Sequence, residues 1–259
     1  PNGAGMFGAK VGAGRGVSNP NQVTKTSESA LGEYTGAPNA GAVNSCTAAL
    51  LLAVAWHLSE MQRKVDEEAR AAGHGMRMQA LYPPIEIPAR TYVSVPQAII
   101  HAGGRPTFRD EEWSGMYQLK PLPVWDSARW FTHGMYAGEM ALMASDSKGP
   151  YAVIAENIPV GGDMLCVSFH ASKTLGLEQG GAILHDNPEA DAWLRRARFD
   201  GRTEGVAPKD DHFDMIAHHC YLNPSTAAQG ILKLHSLPRH NAPLPNDEYP
   251  DLSTMEIFR

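Results

Sequence analysis

Ser168-Phe169-His170-Ala171-Ser172-Lys173 follows an apolar run, and Gly180-Gly181 comes seven residues after the lysine. Lysine amines condense with carbonyl groups, and pyridoxal 5'-phosphate (PLP) is the commonest aldehyde that enzymes hold this way. A lysine between a strand-like segment and a glycine pair therefore predicts an imine-forming residue, Lys173.

Such a site also needs a phosphate cradle, an aromatic plate and an acid beside the pyridine nitrogen. The acid candidate is Asp126, at the end of Leu122-Pro123-Val124-Trp125. A carboxylate there keeps the ring nitrogen protonated, so that the ring can accept electrons. Taken alone, Asp126 also reads as an ordinary turn or cap aspartate before Ser127. Ser45-Cys46-Thr47 precedes an apolar helical run, where hydroxyls and backbone N–H groups meet an anion at the positive end of a helix. The same residues could be a plain helix cap. Ser168 is a second phosphate candidate, and Tyr92 the candidate plate or simply a packed ring at a core edge.

Outward from these residues, strand-like runs recur at 85–87, 106–109, 122–125, 151–154, 164–168 and 182–185, with a short apolar stretch from Ala42. Helical patterns lie at 96–101, 189–198 and 225–234, and a long one begins at Ala48. Strands alternating with helices predict an α/β fold, a mostly parallel sheet with helices on both faces and a site at the carboxyl ends of its strands. Residues 1–40, rich in Gly, Ala, Ser and Asn, are expected to form an arm without core. Residues 41–235 form the expected domain, and the Pro-rich stretch 236–259 a tail without a core of its own.

The 259 residues, 43% hydrophobic and 19% charged, suffice for one large domain. A net charge of -6 argues against an electrostatic grip on nucleic acid or anionic membranes. No apolar run approaches the roughly 20 residues needed to span a bilayer. The three cysteines, Cys46, Cys166 and Cys220, contain no C-x-x-C pair and suit a reducing compartment, with the cytoplasm as default. His218-His219 beside Cys220 does not have metal-ligand spacing, so no metal is expected.

The order Ser45-Cys46-Thr47-Ala48-Ala49-Leu50, Pro88 to Tyr92, Trp125-Asp126-Ser127-Ala128, Gly162-Asp163, Ser168 to Lys173 and Gly180-Gly181 resembles the DegT/DnrJ/StrS sugar-aminotransferase family of fold-type I PLP-dependent enzymes, over about residues 40–235. The resemblance implies the large domain of that fold, with the small C-terminal domain reduced or absent. It implies that Lys173 carries PLP as an internal aldimine and shuttles the proton, that Asp126 pairs with the ring nitrogen and that Tyr92 stacks. Ser45, Cys46, Thr47 and Ser168 would hold phosphate, while Ala128, Arg129 and His170 would also touch the cofactor. A homodimer with a shared active site is implied too, as is transfer of an amino group between an amino acid and a keto substrate such as a sugar nucleotide.

The chain departs from the family pattern at named places. Cys46 stands where glycine is usual, Arg129 where Gln or His touches the phenolic oxygen, and Gln179 where Glu precedes the glycine pair. His219 and Tyr221 replace the usual Asn and Arg, and a Met-rich segment is inserted at 133–148. Two further readings follow: a PLP-dependent decarboxylase or lyase acting on an amino acid, possibly one attached to a nucleotide or other large carrier, and a PLP-binding scaffold without turnover.

Overall fold

The structure, a computed structural model, describes residues 22–73, 78–136 and 162–259. The strand expected at 151–154, most of the segment expected at 133–148 and residues 1–21 of the expected arm lie outside these.

The elements are, in order, α1 (Gln22–Thr35), β1 (Asn39–Val43), α2 (Cys46–Ala71), β2 (Ile85–Pro88), α3 (Ser94–His101), β3 (Pro106–Arg109), β4 (Tyr117–Gln118), β5 (Val124–Ser127), β6 (Met164–Ser168), β7 (Gly181–His185), α4 (Pro188–Ala197) and α5 (Pro224–Ser236). Every residue of β6 and β7 is buried, so these short apolar runs are central strands. Alternation sends Met164, Cys166 and Ile183 into one apolar layer and Leu165, Val167, Ala182 and Leu184 into the other. The first layer is closed by α2, α3 and α4, and the second by Leu31 of α1 and Leu234 of α5. Helices thus cover both faces, as the alternating pattern predicts.

The sheet is mixed, which corrects the expectation of a mostly parallel one. Among the described residues its order is β1-β7-β6-β5-β4, with β5 and β6 the only parallel neighbours within it, and β2 and β3 form a separate parallel pair. Parallel neighbours need a crossover of a dozen or more residues. β5 instead follows β4 through a tight turn in which Leu122 N donates to Leu119 O at 2.9 Å, and therefore lies antiparallel to it.

The coreless arm also needs correction for residues 22–35. α1 buries Leu31, and its Glu28 carboxylate accepts hydrogen bonds from Ala42 N at 3.0 Å and Arg195 Nη1 at 2.9 Å, and pairs with the buried Arg198. Few apolar residues signal this helix because a buried charge network, not a wide apolar stripe, fastens it to β1 and α4. The tail after α5 has only two single-turn helices, at Leu252–Thr254 and Glu256–Phe258, but it is not detached. Leu244 N donates to Arg129 O at 2.8 Å, Leu252 N to Ala89 O at 2.9 Å, and the Leu252 side chain is fully buried.

Candidate active site

Strand direction gathers the predicted residues at one edge of the sheet. β5 and β6 are parallel with Ser127 opposite Val167, so their carboxyl ends emerge together. β7 runs back with Gly181 opposite Ser168, and β1 ends with Val43 opposite the same Gly181. The start of α2 therefore meets the loop that carries Lys173. Gly181 is obligatory at this crossing: a Cβ there would lie 2.7 Å from Cys46 N, from Ser45 C and from Val167 O.

All ten predicted residues, Ser45, Cys46, Thr47, Tyr92, Asp126, Ala128, Arg129, Ser168, His170 and Lys173, line one cavity of about 290 Å³ at this edge. Ser45 keeps its ordinary capping role as well, its Oγ accepting from Ala48 N at 3.1 Å. Thr47 Oγ1 lies 2.8 Å from Ser94 Oγ, which places a hydroxyl pair at the mouth of a 26-residue helix. The Cys46 thiol turns toward the sheet and contacts Cys166 O at 3.5 Å, so replacing glycine leaves its backbone N–H at the helix start. Tyr92 sits at the rim, 59% exposed. His170 Nδ1 is 3.0 Å from Ser172 Oγ in the lysine loop. Gln179 lines the cavity, whereas His219 does not and instead bonds Asp200 through Nδ1 at 2.6 Å.

Asp126 is buried, with Oδ1 accepting from Ala128 N at 2.9 Å and Oδ2 from Tyr117 Oη at 2.8 Å. Burial pushes its carboxyl above the usual range, while these two donors and the Lys173 charge pull it back. Lys173 is shifted downward, first by burial and then by the Arg129 charge, with Asp247 and Asp126 opposing. Both shifts favour the neutral forms of the two groups; an added cation beside Asp126 would restore its ionisation.

Sequence reasoning missed Tyr117, Trp113, Asp247 and Tyr249. Tyr117 Oη also lies 2.6 Å from Thr91 Oγ1, forming a Thr91–Tyr117–Asp126 chain. The Trp113 ring meets Tyr117 edge-on at 4.7 Å and stacks on Tyr249 at 6.2 Å. Asp247 pairs with Arg129 at 2.8 Å. Tyr117 lies on a two-residue strand and the other three in irregular segments, where no periodicity could mark them.

Residues 145–243 match the family model of the DegT/DnrJ/EryC1/StrS aminotransferases. Comparison with curated proteins finds no match. Among solved structures the chain is similar to PseC of Helicobacter pylori, an aminotransferase involved in the biosynthesis of pseudoaminic acid, with TM-score 0.56 and 20% identity over 84% of this chain and 58% of that chain. It is similar to the sugar aminotransferase CalS13 of Micromonospora echinospora, with TM-score 0.57 and 16% identity over 83% of this chain and 61% of that one. The Spr1654 protein of Streptococcus pneumoniae in its PLP form gives TM-score 0.52 and 18% identity over 83% of this chain and 59% of that one. The chain thus spans about three fifths of the length of these structures. Over residues 145–243 it carries the sequence signature of the DegT/DnrJ/EryC1/StrS aminotransferase family, on the fold that these structures share.

Proposed function

We propose that the cavity holds PLP and that the chain acts as a PLP-dependent aminotransferase, moving an amino group between an amino acid and a keto substrate such as a sugar nucleotide. The observation that carries this reading is the convergence of the Lys173 amine, the buried Asp126 carboxyl and the hydroxyl-lined start of α2 on one cavity. The residues fit the cofactor group by group. Asp126 has two neutral donors and suits a cationic N–H partner. Ser45, Thr47, Ser168 and the backbone at the α2 start suit a phosphate. When bound, PLP supplies an aldehyde for condensation with amines and a ring that accepts an electron pair.

The chain's own residues supply the rest. Lys173 Nζ, held below the ordinary lysine range, is more often the neutral amine that attacks a carbonyl and carries a proton. Tyr117 orients Asp126 through its 2.8 Å bond and is itself fixed by Thr91. Trp113 and Tyr249 stack on each other in the cavity lining, and Trp113 packs on the Tyr117 ring, which gives this part of the wall an aromatic surface.

The sugar-nucleotide acceptor is supported by the family match and by CalS13 being a sugar aminotransferase. A homodimer with a shared active site follows from the likeness to the DegT/DnrJ/EryC1/StrS family, and sedimentation velocity tests it. Three buried thiols suit a reducing cytoplasm, and among the described residues no helix is long and apolar enough to cross a membrane.

The deciding experiment mixes the protein with PLP, reduces it with borohydride and maps the modified peptide. Label on Lys173, lost in Lys173→Ala, with a visible absorbance band that glutamate bleaches, is the expected result. Label elsewhere, or none, refutes the cofactor site. A band on Lys173 that ignores glutamate but responds to another amino acid refutes transamination from glutamate and favours the decarboxylase or lyase.

A further inference from the structure

Arg129 has more donors than partners. Its side chain is only 8% exposed, it lines the cavity, and Nη1 donates to Asp247 Oδ2 at 2.8 Å. Its Nε is shut from solvent and has no hydrogen-bond partner among the described residues. An unsatisfied buried guanidinium donor is costly, and its planar fork matches a carboxylate through two parallel bonds.

The acid half of the pair is differently placed. Asp247 belongs to the tail and its side chain is 65% exposed, so water can replace Arg129 as its partner at little cost. Arg129 has no such alternative, because the β5 turn that carries it is buried. The pair is therefore fixed on one side and exchangeable on the other. Nearby, Tyr249 stacks on Trp113 with rings 15° from parallel, and Asn246 Nδ2 donates to Trp113 O at 2.6 Å. Movement of Asp247 must alter the surroundings of Trp113.

We propose that Arg129 binds the carboxylate of the incoming amino acid or oxo acid, and that Asp247 occupies the guanidinium until that carboxylate replaces it. The proposal rests on the aminotransferase reading for the identity of the ligand, since both substrates of an amino-acid half-reaction carry a carboxylate into this cavity. It assigns the tail segment around Asp247 and Tyr249 a part in admitting substrate. Ser45, Thr47 and Ser168 offer neutral hydroxyls to a phosphate, and a guanidinium with five donors can serve a carboxylate in addition to the cofactor's phenolic oxygen, the contact expected of Arg129.

The test titrates the full chain, without PLP, with succinate, reading tryptophan fluorescence and hydrogen exchange over residues 244–252. Saturable binding with faster exchange in that segment is expected. Asp247→Asn should bind succinate about tenfold more tightly, because the competing charge is gone. Arg129→Lys should bind at least tenfold more weakly and Arg129→Gln still less. Trp113→Phe should silence most of the fluorescence change while the exchange response remains. Unchanged affinity in Asp247→Asn or wild-type affinity in Arg129→Gln would overturn the proposal. Succinate binding in the absence of PLP does not depend on labelling of Lys173 by PLP and borohydride, so a failure of the cofactor reading and a failure of the carboxylate site give different results.

Discussion

Replacing Tyr117 by Phe removes one hydroxyl and keeps the ring that packs against Trp113. That hydroxyl donates to Asp126 Oδ2 at 2.8 Å inside the protein. A hydrogen bond to a charged group is worth about 1.5–3 kcal/mol, equivalent to about 1–2 units in the acceptor's pKa. Burial already holds Asp126 above the usual carboxylate range, so losing Tyr117 raises it further. A carboxyl whose folded pKa lies above its unfolded value leaves stability intact in acid and lowers it as pH rises through the folded value. Cofactor-free Tyr117→Phe should therefore lose about 1.5–3 kcal/mol relative to wild type near pH 8, and the difference should shrink as pH falls through the Asp126 transition. Urea unfolding across pH measures both quantities. An equal loss at every pH would refute the claim that the hydroxyl serves a charged Asp126, and a loss below about 0.5 kcal/mol would refute its energetic part.

Three other perturbations follow from the packing. Gly181→Ala puts a methyl 2.7 Å from three backbone atoms, so it should destabilise the fold by about 1–3 kcal/mol or more and weaken PLP binding; calorimetry with a PLP titration checks it. Glu28→Ala leaves the buried Arg198 without its main acid and should cost about 3–5 kcal/mol in denaturant unfolding, whereas a loss under about 1 kcal/mol would mean that Glu204 and the Ala42 carbonyl suffice. His57 is pushed down to about 4 by burial, so its contribution to stability is complete above its unfolded pKa and lost as pH falls toward 4; His57→Leu should flatten the stability profile over that interval.

The parts of the site that were legible in the sequence lie where local order and tertiary position coincide. Asp126 ends a strand, Ser45 starts a helix, and Lys173 sits in the loop between two strands; in each case an apolar run stops beside a chemically distinctive residue. Gly180-Gly181 was readable because close backbone approach excludes other residues. Strand direction was not readable, since an apolar run of five residues looks the same in either sense. α1 was hidden because its anchoring depends on Glu28 meeting Arg198 across 170 residues of sequence. The contacts of Asp247, Tyr249 and Trp113 are equally nonlocal, and the text around the first two reads only as proline-rich loop.

These two kinds of residue also differ in how firmly they are held. The edge that carries Asp126, Ser168 and Gly181 belongs to strands buried on both faces, so its geometry is fixed by the same packing that stabilises the sheet. The tail reaches the cavity through the side-chain contacts of Asp247 and Tyr249, with the backbone bonds of Leu244 and Leu252 on either side. A segment with so few buried contacts opens at a lower free energy than a central strand. The chemistry assigned to Lys173 and Asp126 requires fixed positions, and admitting a charged substrate past Arg129 requires a wall that yields. The rigid sheet edge and the loosely tethered tail meet these opposite demands in separate elements, and the Trp113 ring, which packs on Tyr249 of the tail and on Tyr117 beside Asp126, is the contact that joins them.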